Sequence, residues 1–140
     1  MEIAKFLALH SAITLLISLL CGIPYGKAIN RQASAQKIHG WRVAHASLAL
    51  GAATGFAIAA VMASLLTDNR FQTTNTYIAW LVVICNYAFS CALTVGAATE
   101  HRGLHNTKDL TGKFVYFGNM LGVLTSIAFT LLLIFSLSAS

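Results

Sequence analysis

Residues 114–137 read FVYFGNMLGVLTSIAFTLLLIFSL, a stretch without a charged side chain. About 20 apolar residues are enough for an α-helix to cross the hydrocarbon core of a bilayer. Three further predominantly apolar segments lie at 3–25, 43–67 and 76–98. The whole chain is 57% hydrophobic and 9% charged, whereas roughly a quarter of the residues of a soluble domain are charged. The sequence therefore predicts four membrane spans.

The four spans are predicted to be helices of a single domain, residues 1–140. In lipid every backbone N–H and C=O group needs an internal partner, which only helices and closed barrels provide. No segment shows the period-two alternation of a barrel strand. The predicted fold class is an all-α membrane protein, a four-transmembrane-helix bundle. The first span lacks a strongly basic start and a cleavage site, so it is expected to be a mature helix that ends near Pro24.

Basic side chains are concentrated in two of the three connections, and the net charge is +5. The first connection has Lys27, Arg31, Lys37 and Arg42, the third has Arg102, Lys108 and Lys113, and the second has only Asp68 and Arg70. Cytoplasmic loops collect Lys and Arg. We therefore expect a bacterial inner membrane protein with the first and third connections cytoplasmic and both termini periplasmic. Membrane lipid explains this charge, and no nucleic-acid partner is expected.

Small residues recur at every fourth position in two spans: Ser47, Gly51 and Gly55 in the second, and Gly118, Gly122 and Ser126 in the fourth. Such faces let helix backbones approach closely in lipid. They indicate either packing within one bundle or an interface between subunits. Four short helices enclose little volume, so a large cofactor would fit more easily between subunits. Oligomerisation through these faces is therefore expected.

The most informative stretch is His39-Gly40-Trp41-Arg42-Val43-Ala44-His45, at the mouth of the second span. Trp41, Arg42 and His45 are expected on one side of the helix, since neighbours there are three and four residues apart. Trp41 and Arg42 also suit simple anchoring at the membrane interface. His45 is expected about one turn inside, where an ionisable group usually faces the protein interior. A neutral imidazole can bind a metal or haem iron, and a guanidinium can pair with a haem propionate.

Two other histidines, His101 and His10, are candidates for a second ligand of the haem iron. His101 is expected at about the same membrane depth as His45, so both could bind one iron and close its open position. A plain loop histidine is the alternative. His10 is expected roughly 15 to 20 Å from the level of His45, too far to be that ligand. It is interpreted either as bonded to a neighbouring helix or as part of a pocket on the outer side.

Three features of the sequence resemble the styrene oxide isomerases and their membrane-bound relatives. They are a histidine early in the first span (Leu9-His10-Ser11), the Trp41-Arg42-x-Ala44-His45 signature, and an Arg102-Gly103-Leu104 turn after the third span. The number of helices agrees as well, so the resemblance covers most of the chain.

The resemblance implies a homotrimer that holds haem b at its subunit interfaces. His45 would be the axial ligand of the iron, with Arg42 and Trp41 near the haem edge. Ferric iron acts as a Lewis acid in this family, and a small hydrophobic substrate such as an aryl epoxide is rearranged to an aldehyde or other carbonyl compound without redox turnover. Polarisation of an oxygen atom is a general form of metal-ion catalysis.

The sequence departs from the family in the groups that orient the substrate. The family has an asparagine a turn or so after the axial histidine, where this chain has Gly51. Its active-site tyrosine is in the third span, where this chain offers Asn86 and Tyr87. These two are the candidate catalytic residues, but adjacent helical residues point about 100° apart, so both cannot aim equally well at one ligand. Simple hydrogen bonding between helices is the alternative role for both.

Two further functions stay open on the sequence alone. A haem-binding or electron-transfer subunit would use His45 together with a second histidine such as His101. A haem-free membrane protein would instead carry or assemble a protein partner. The state of the haem, or its absence, distinguishes these readings from an isomerase.

Overall fold

The computed structural model describes residues 2–101 and 109–139. Its long helices are α1 (Ile3–Asn30), α2 (Ala35–Ser64), α3 (Gln72–Thr99) and α4 (Leu110–Ser138), and a short 3₁₀ helix at Asn69–Phe71 precedes α3. The described stretches contain no strand. All four helices are long and apolar enough to cross a membrane. The predicted all-α, four-helix membrane fold is confirmed, and the chain is a multi-pass membrane protein.

The first two helices extend beyond the apolar segments that predict them. α1 continues through Pro24 to Asn30, so the expectation that it ends near the proline is wrong. Membrane helices tolerate proline because local adjustments and neighbouring groups satisfy the freed carbonyl. α2 begins at Ala35, inside the polar connection. Its start is fixed by Ser34, whose hydroxyl accepts a hydrogen bond from the backbone N–H of Lys37.

The start of α2 and the end of α3 lie at the same end of the molecule, here called the basic end. The Ser34 hydroxyl donates a hydrogen bond to a carboxylate oxygen of Glu100 at 2.8 Å, and the Gln36 side-chain amide donates to the Glu100 carbonyl oxygen. Glu100 ends α3 in the left-handed conformation, with φ 61°. These contacts join the start of α2 to the end of α3, as alternating spans require.

Three of the helices form a triangle and the fourth lies against one of them. α1, α2 and α3 pack against one another, whereas α4 packs along α3 and not along α1 or α2 in the described part of the chain. The triangle buries Leu7, Ile58 and Ile78 in its centre. A groove therefore remains between α2 and α4, with α3 as its floor.

The glycines of the small-residue faces pack mainly within the chain. A Cβ atom built at Gly118 would lie 2.9 Å from the Cβ of Ala92, and one built at Gly122 would lie 2.7 Å from the Phe89 ring. Both neighbours are on α3. Gly55 is in close contact with the Ser11 hydroxyl of α1. Close helix packing inside one chain is therefore what these glycines provide.

Candidate functional site

His45 is held against α1 by a reciprocal pair of hydrogen bonds with Ser18. The imidazole Nδ1 donates to the carbonyl oxygen of Ser18 at 2.9 Å, and the Ser18 hydroxyl donates to the carbonyl oxygen of His45 at 2.6 Å. Gly22 lies beside the ring: a Cβ built there would be 3.6 Å from the imidazole Cε1, an ordinary contact distance. His45 is ten residues after Ala35, in the third turn of α2 rather than the first, because the helix begins in the polar connection.

The contact with Ser18 determines which nitrogen of His45 is available. A carbonyl oxygen only accepts, so Nδ1 must carry the proton and Nε2 must carry the lone pair. Nε2 has no hydrogen-bond partner among the described residues. Protein histidines that bind metals commonly have this arrangement, with one nitrogen donating to a carbonyl oxygen and the other free to coordinate. Nε2 of His45 is therefore available to coordinate a metal ion or haem iron.

Trp41 and Arg42 are neighbours on α2, about 100° apart around the helix with His45 between them. Trp41 packs against a small cluster of Cys21, Ala44 and Leu48, close to the α1 side where His45 lies. Arg42 is exposed, and its Nη2 donates to Nδ1 of His39 at 2.9 Å. Most of the guanidinium donors have no partner among the described contacts, so Arg42 can still bind a carboxylate.

His101 follows the end of α3, and both of its ring nitrogens have partners. Nε2 lies 3.1 Å from a carboxylate oxygen of Asp109, and Nδ1 lies 3.1 Å from the Thr99 hydroxyl. Neither nitrogen presents a free lone pair to a metal. In this structure His101 thus has the role of a local link between the end of α3 and the start of α4.

A cavity of about 320 Å³ lies at mid-depth in the α2–α4 groove. We call it the mid cavity. It is lined by Ser47, Leu48, Leu50, Gly51, Thr54, Val82, Cys85, Asn86, Phe89, Leu93 and Phe129. Asn86 is 7% exposed, and its Nδ2 donates a long hydrogen bond of 3.5 Å to the Gly51 carbonyl oxygen. A predicted catalytic residue therefore lies in the wall of an apolar cavity.

Tyr87, the other predicted catalytic residue, faces a different groove. Its hydroxyl is 2.9 Å from Nδ1 of His10, and the two rings meet edge to face. Phe6 and Trp80 extend this aromatic group between α1 and α3. The expected divergence of Asn86 and Tyr87 is observed. The interpretation of His10 as bonded to a neighbouring helix is confirmed.

His45 and Asn86 are not brought together within one chain. His45 lies on the α1 side of α2, and it lines neither the mid cavity nor the larger cavity at the basic end. Ser47 does line the mid cavity. Successive helical residues are about 100° apart, so Ser47 projects about 200° around α2 from His45. The candidate ligand and the candidate orienting amide therefore face different grooves.

A second cavity, of about 520 Å³, lies at the basic end between α2, α3 and α4. Gln36, His39, Glu100, His101 and Asn119 form its polar part, and small residues such as Gly40 and Ala97 form the rest. In the described residues no group of three or more histidine, cysteine or acidic side chains is arranged to hold a metal ion.

Sequence reasoning missed the residues that prepare His45 and Asn86. Ser18 positions the imidazole, and Gly51 contacts the amide. A weak signal for Ser18 was available, because Ser11, Thr14 and Ser18 form a polar stripe at helical spacing and all three are fully buried. The Arg102-Gly103-Leu104 turn, part of the family resemblance, lies outside the described residues.

A family model described as Styrene oxide isomerase matches residues 3–138, which include all four helices. No curated protein and no solved structure matches the chain.

Proposed function

The chain belongs to the styrene oxide isomerase family, and we propose that it isomerises a small apolar epoxide to an aldehyde or other carbonyl compound, with haem b held by His45. The observation that carries the proposal is the hydrogen bond from His45 Nδ1 to the Ser18 carbonyl. It leaves the lone pair of Nε2 free to coordinate a metal. When bound, ferric haem supplies a Lewis acid that polarises the epoxide oxygen without redox turnover.

We assign three residues of α2 to the cofactor. His45 would bind the iron through Nε2, and its hydrogen bond to Ser18 keeps the imidazole in the required tautomer. Arg42 would pair with a propionate carboxylate, since its guanidinium is exposed and has donors to spare. Trp41, one turn before His45, would pack at the edge of the macrocycle.

We assign the orientation of substrate to Asn86 rather than Tyr87. The Asn86 amide faces the mid cavity, where an Nδ2 hydrogen can be donated to an epoxide oxygen. Phe89 and Phe129 offer apolar walls for an aryl group in the same cavity. The Tyr87 hydroxyl is committed to His10 in another groove. Tyr87 therefore has a structural role in this proposal.

We propose further that the active unit is an oligomer, a homotrimer in keeping with the family. A substrate that touches both His45-bound haem and Asn86 must lie between two copies, because these residues face different grooves of one chain. The exposed face of α2 favours such contact, since it includes many small side chains: Ala46, Ser47, Ala53, Thr54, Ala57 and Ala60. In a cyclic oligomer each copy presents one surface to the next copy and a different surface to the previous one.

The electron-transfer alternative requires a second axial ligand. His101, the residue predicted for it, has both nitrogens engaged by Thr99 and Asp109. We therefore favour an open sixth position, which the isomerase reaction requires. The charge pattern supports a bacterial inner membrane location with the basic end in the cytoplasm and both termini in the periplasm.

The test is an absorption spectrum of protein expressed with added haem precursor, followed by an epoxide assay. We expect a Soret band of high-spin haem that shifts when an oxygen or nitrogen ligand is added. His45→Ala should remove the band while the protein still inserts in the membrane, and the matched control His101→Ala should keep it. A Soret band retained in His45→Ala would refute the ligand assignment. Low-spin haem that resists ligands would favour electron transfer, and no haem at all would favour a role with a protein partner.

A further inference from the structure

The Asn86 amide has unused hydrogen-bonding capacity in the mid cavity. A side-chain amide has two N–H donors and an oxygen with two lone pairs. The amide group of Asn86 makes one described hydrogen bond, the long 3.5 Å contact to the Gly51 carbonyl. Asn86 is nevertheless more than nine-tenths buried. Buried polar groups are normally paired, because leaving one unpaired destabilises the fold. An amide left in this state at a cavity wall is suited to a ligand.

Gly51 leaves the space that the Asn86 amide occupies. A Cβ atom built at Gly51 would lie 2.7 Å from Asn86 Oδ1 and 3.7 Å from Asn86 Cγ. Real Cβ atoms do not approach an oxygen that closely, so any other residue at position 51 would displace the amide. Gly55, one turn further along the same face of α2, also lies beside the amide: a Cβ built there would be 3.7 Å from Asn86 Nδ2, an ordinary contact distance.

We infer that Gly51 is a positioning residue that holds the Asn86 amide at the wall of the mid cavity, where the amide can donate a hydrogen bond to the oxygen atom of the ligand. The inference rests on the proposed function in taking the ligand of this cavity to be the substrate. Gly51 also lines the cavity with its backbone, but it has no side chain to bind the ligand oxygen, so its contribution to that contact comes through Asn86.

The lining residues determine the ligand class. No lysine, arginine, histidine or carboxylate side chain is among the described residues that line the mid cavity, so nothing there offsets the cost of burying a ligand charge. Its large side chains are leucine, valine and phenylalanine. The volume of about 320 Å³ is at the lower end of the range for small-molecule sites. An aryl ether, epoxide or carbonyl compound of one ring matches this description.

The experiment measures ligand binding rather than turnover. Two fluorinated probes are titrated by ¹⁹F NMR into protein in phosphatidylcholine–phosphatidylglycerol nanodiscs: 4-fluorobenzyl methyl ether, and 4-fluoropropylbenzene, which has nearly the same shape but no oxygen. The proteins are wild type, Gly51→Ala, Asn86→Ala and the double variant. Gly26→Ala is the matched control, because a Cβ at Gly26 meets nothing within 4 Å.

We expect each single variant to weaken ether binding about five- to tenfold, the effect of losing one hydrogen bond. The double variant should bind the ether no more weakly than either single variant, because the same amide contact is lost once. Binding of the oxygen-free probe should change less than twofold in Asn86→Ala, and Gly26→Ala should resemble wild type with both probes.

Three results would overturn the inference: ether binding unchanged in Gly51→Ala, additive losses in the double variant, or equal losses for both probes in Asn86→Ala.

If Gly51→Ala fails to fold, the double variant decides. The double variant should fold, because Asn86→Ala removes the Oδ1 atom that the Cβ of Ala at position 51 would clash with. If the double variant also fails to fold, the clash involves another residue and the inference is wrong. A protein that binds the ether selectively but isomerises no epoxide would refute the proposed function alone. A protein that isomerises an epoxide with ether affinity independent of Asn86 would refute this inference alone.

Discussion

Mixed oligomers of two inactive or weakened variants should regain activity if the site is shared between copies. His45→Ala removes the iron ligand but keeps Asn86, and Asn86→Ala removes the amide but keeps His45. The two residues lie on different sides of α2 in one chain, since His45 is bonded to Ser18 of α1 while Asn86 faces the α2–α4 groove. A junction that joins the intact His45 of one copy to the intact Asn86 of the next would be complete.

The expected gain follows from ring geometry. Any trimer that contains both variants has one complete junction, so its turnover should be about one third of the wild-type value per trimer. Asn86→Ala lowers the rate at its own sites about tenfold, if one hydrogen bond contributes about 1.4 kcal/mol to the transition state. If both residues acted within the same copy, the mixed trimer would therefore show less than about a tenth of wild-type turnover.

The assay uses two affinity tags, one on each variant, so that sequential purification isolates the mixed oligomers. Turnover of a chromophoric aryl epoxide per trimer, from the protein concentration, is then compared with wild type and with each parent variant, and the Soret band gives the haem content separately. Mixed oligomers that remain below a tenth of wild type, with the haem content expected from their His45 copies, would refute a shared site. Recovery near one third would support it.

Three further outcomes are expected. Tyr87→Phe should lower the stability of the protein in detergent by about 1 kcal/mol, because it removes a hydrogen bond between helices, while epoxide turnover stays within about twofold of wild type; a loss beyond tenfold would return Tyr87 to the reaction. Gly122→Ala should lower the free energy of unfolding by about 1 to 3 kcal/mol, because its Cβ would be only 2.7 Å from an aromatic ring of α3. Gly26→Ala, the control, should leave the free energy of unfolding unchanged. Equal melting temperatures for the two variants would contradict this packing. Ser18→Ala removes the 2.6 Å hydrogen bond to the backbone of α2 but keeps the carbonyl, so the Soret band should remain while haem is lost a few times faster to a haem-binding competitor; unchanged haem release would show that the hydroxyl is dispensable.

The membrane spans were predictable because the apolar runs themselves determine where a helix can be buried in lipid. The helix ends were not, because hydropathy does not report on the interface. Ser34 starts α2 within a polar connection, and α1 continues beyond Pro24, where Lys27 and Arg31 are as compatible with helix as with loop. The early start of α2 moves His45 from the first turn of its helix to the third.

The candidate site was predictable in part. His45 stood out because an ionisable residue in a span demands a partner, but the partner is the backbone carbonyl of Ser18, which leaves no mark in a sequence. The pairing of His10 with Tyr87 joins residues 77 positions apart. Gly51 was recognised as the absence of an asparagine, whereas the structure shows that its missing side chain makes room for an amide from α3. Such relations depend on which helices are neighbours, and periodicity within one helix does not specify that.

The arrangement of the helices accounts for a site on the outside of the chain rather than inside it. The triangle of α1, α2 and α3 is filled by its own side chains, including Leu7, Leu48 and Ile78, which are at most 2% exposed. Both described cavities therefore open into the groove that α4 leaves beside α2. A haem is too large for a centre of this kind, and His45 lines neither cavity. In the proposed oligomer, two copies joined along α2 would supply what one copy lacks: an iron ligand on one side, and on the other an apolar cavity with a single amide.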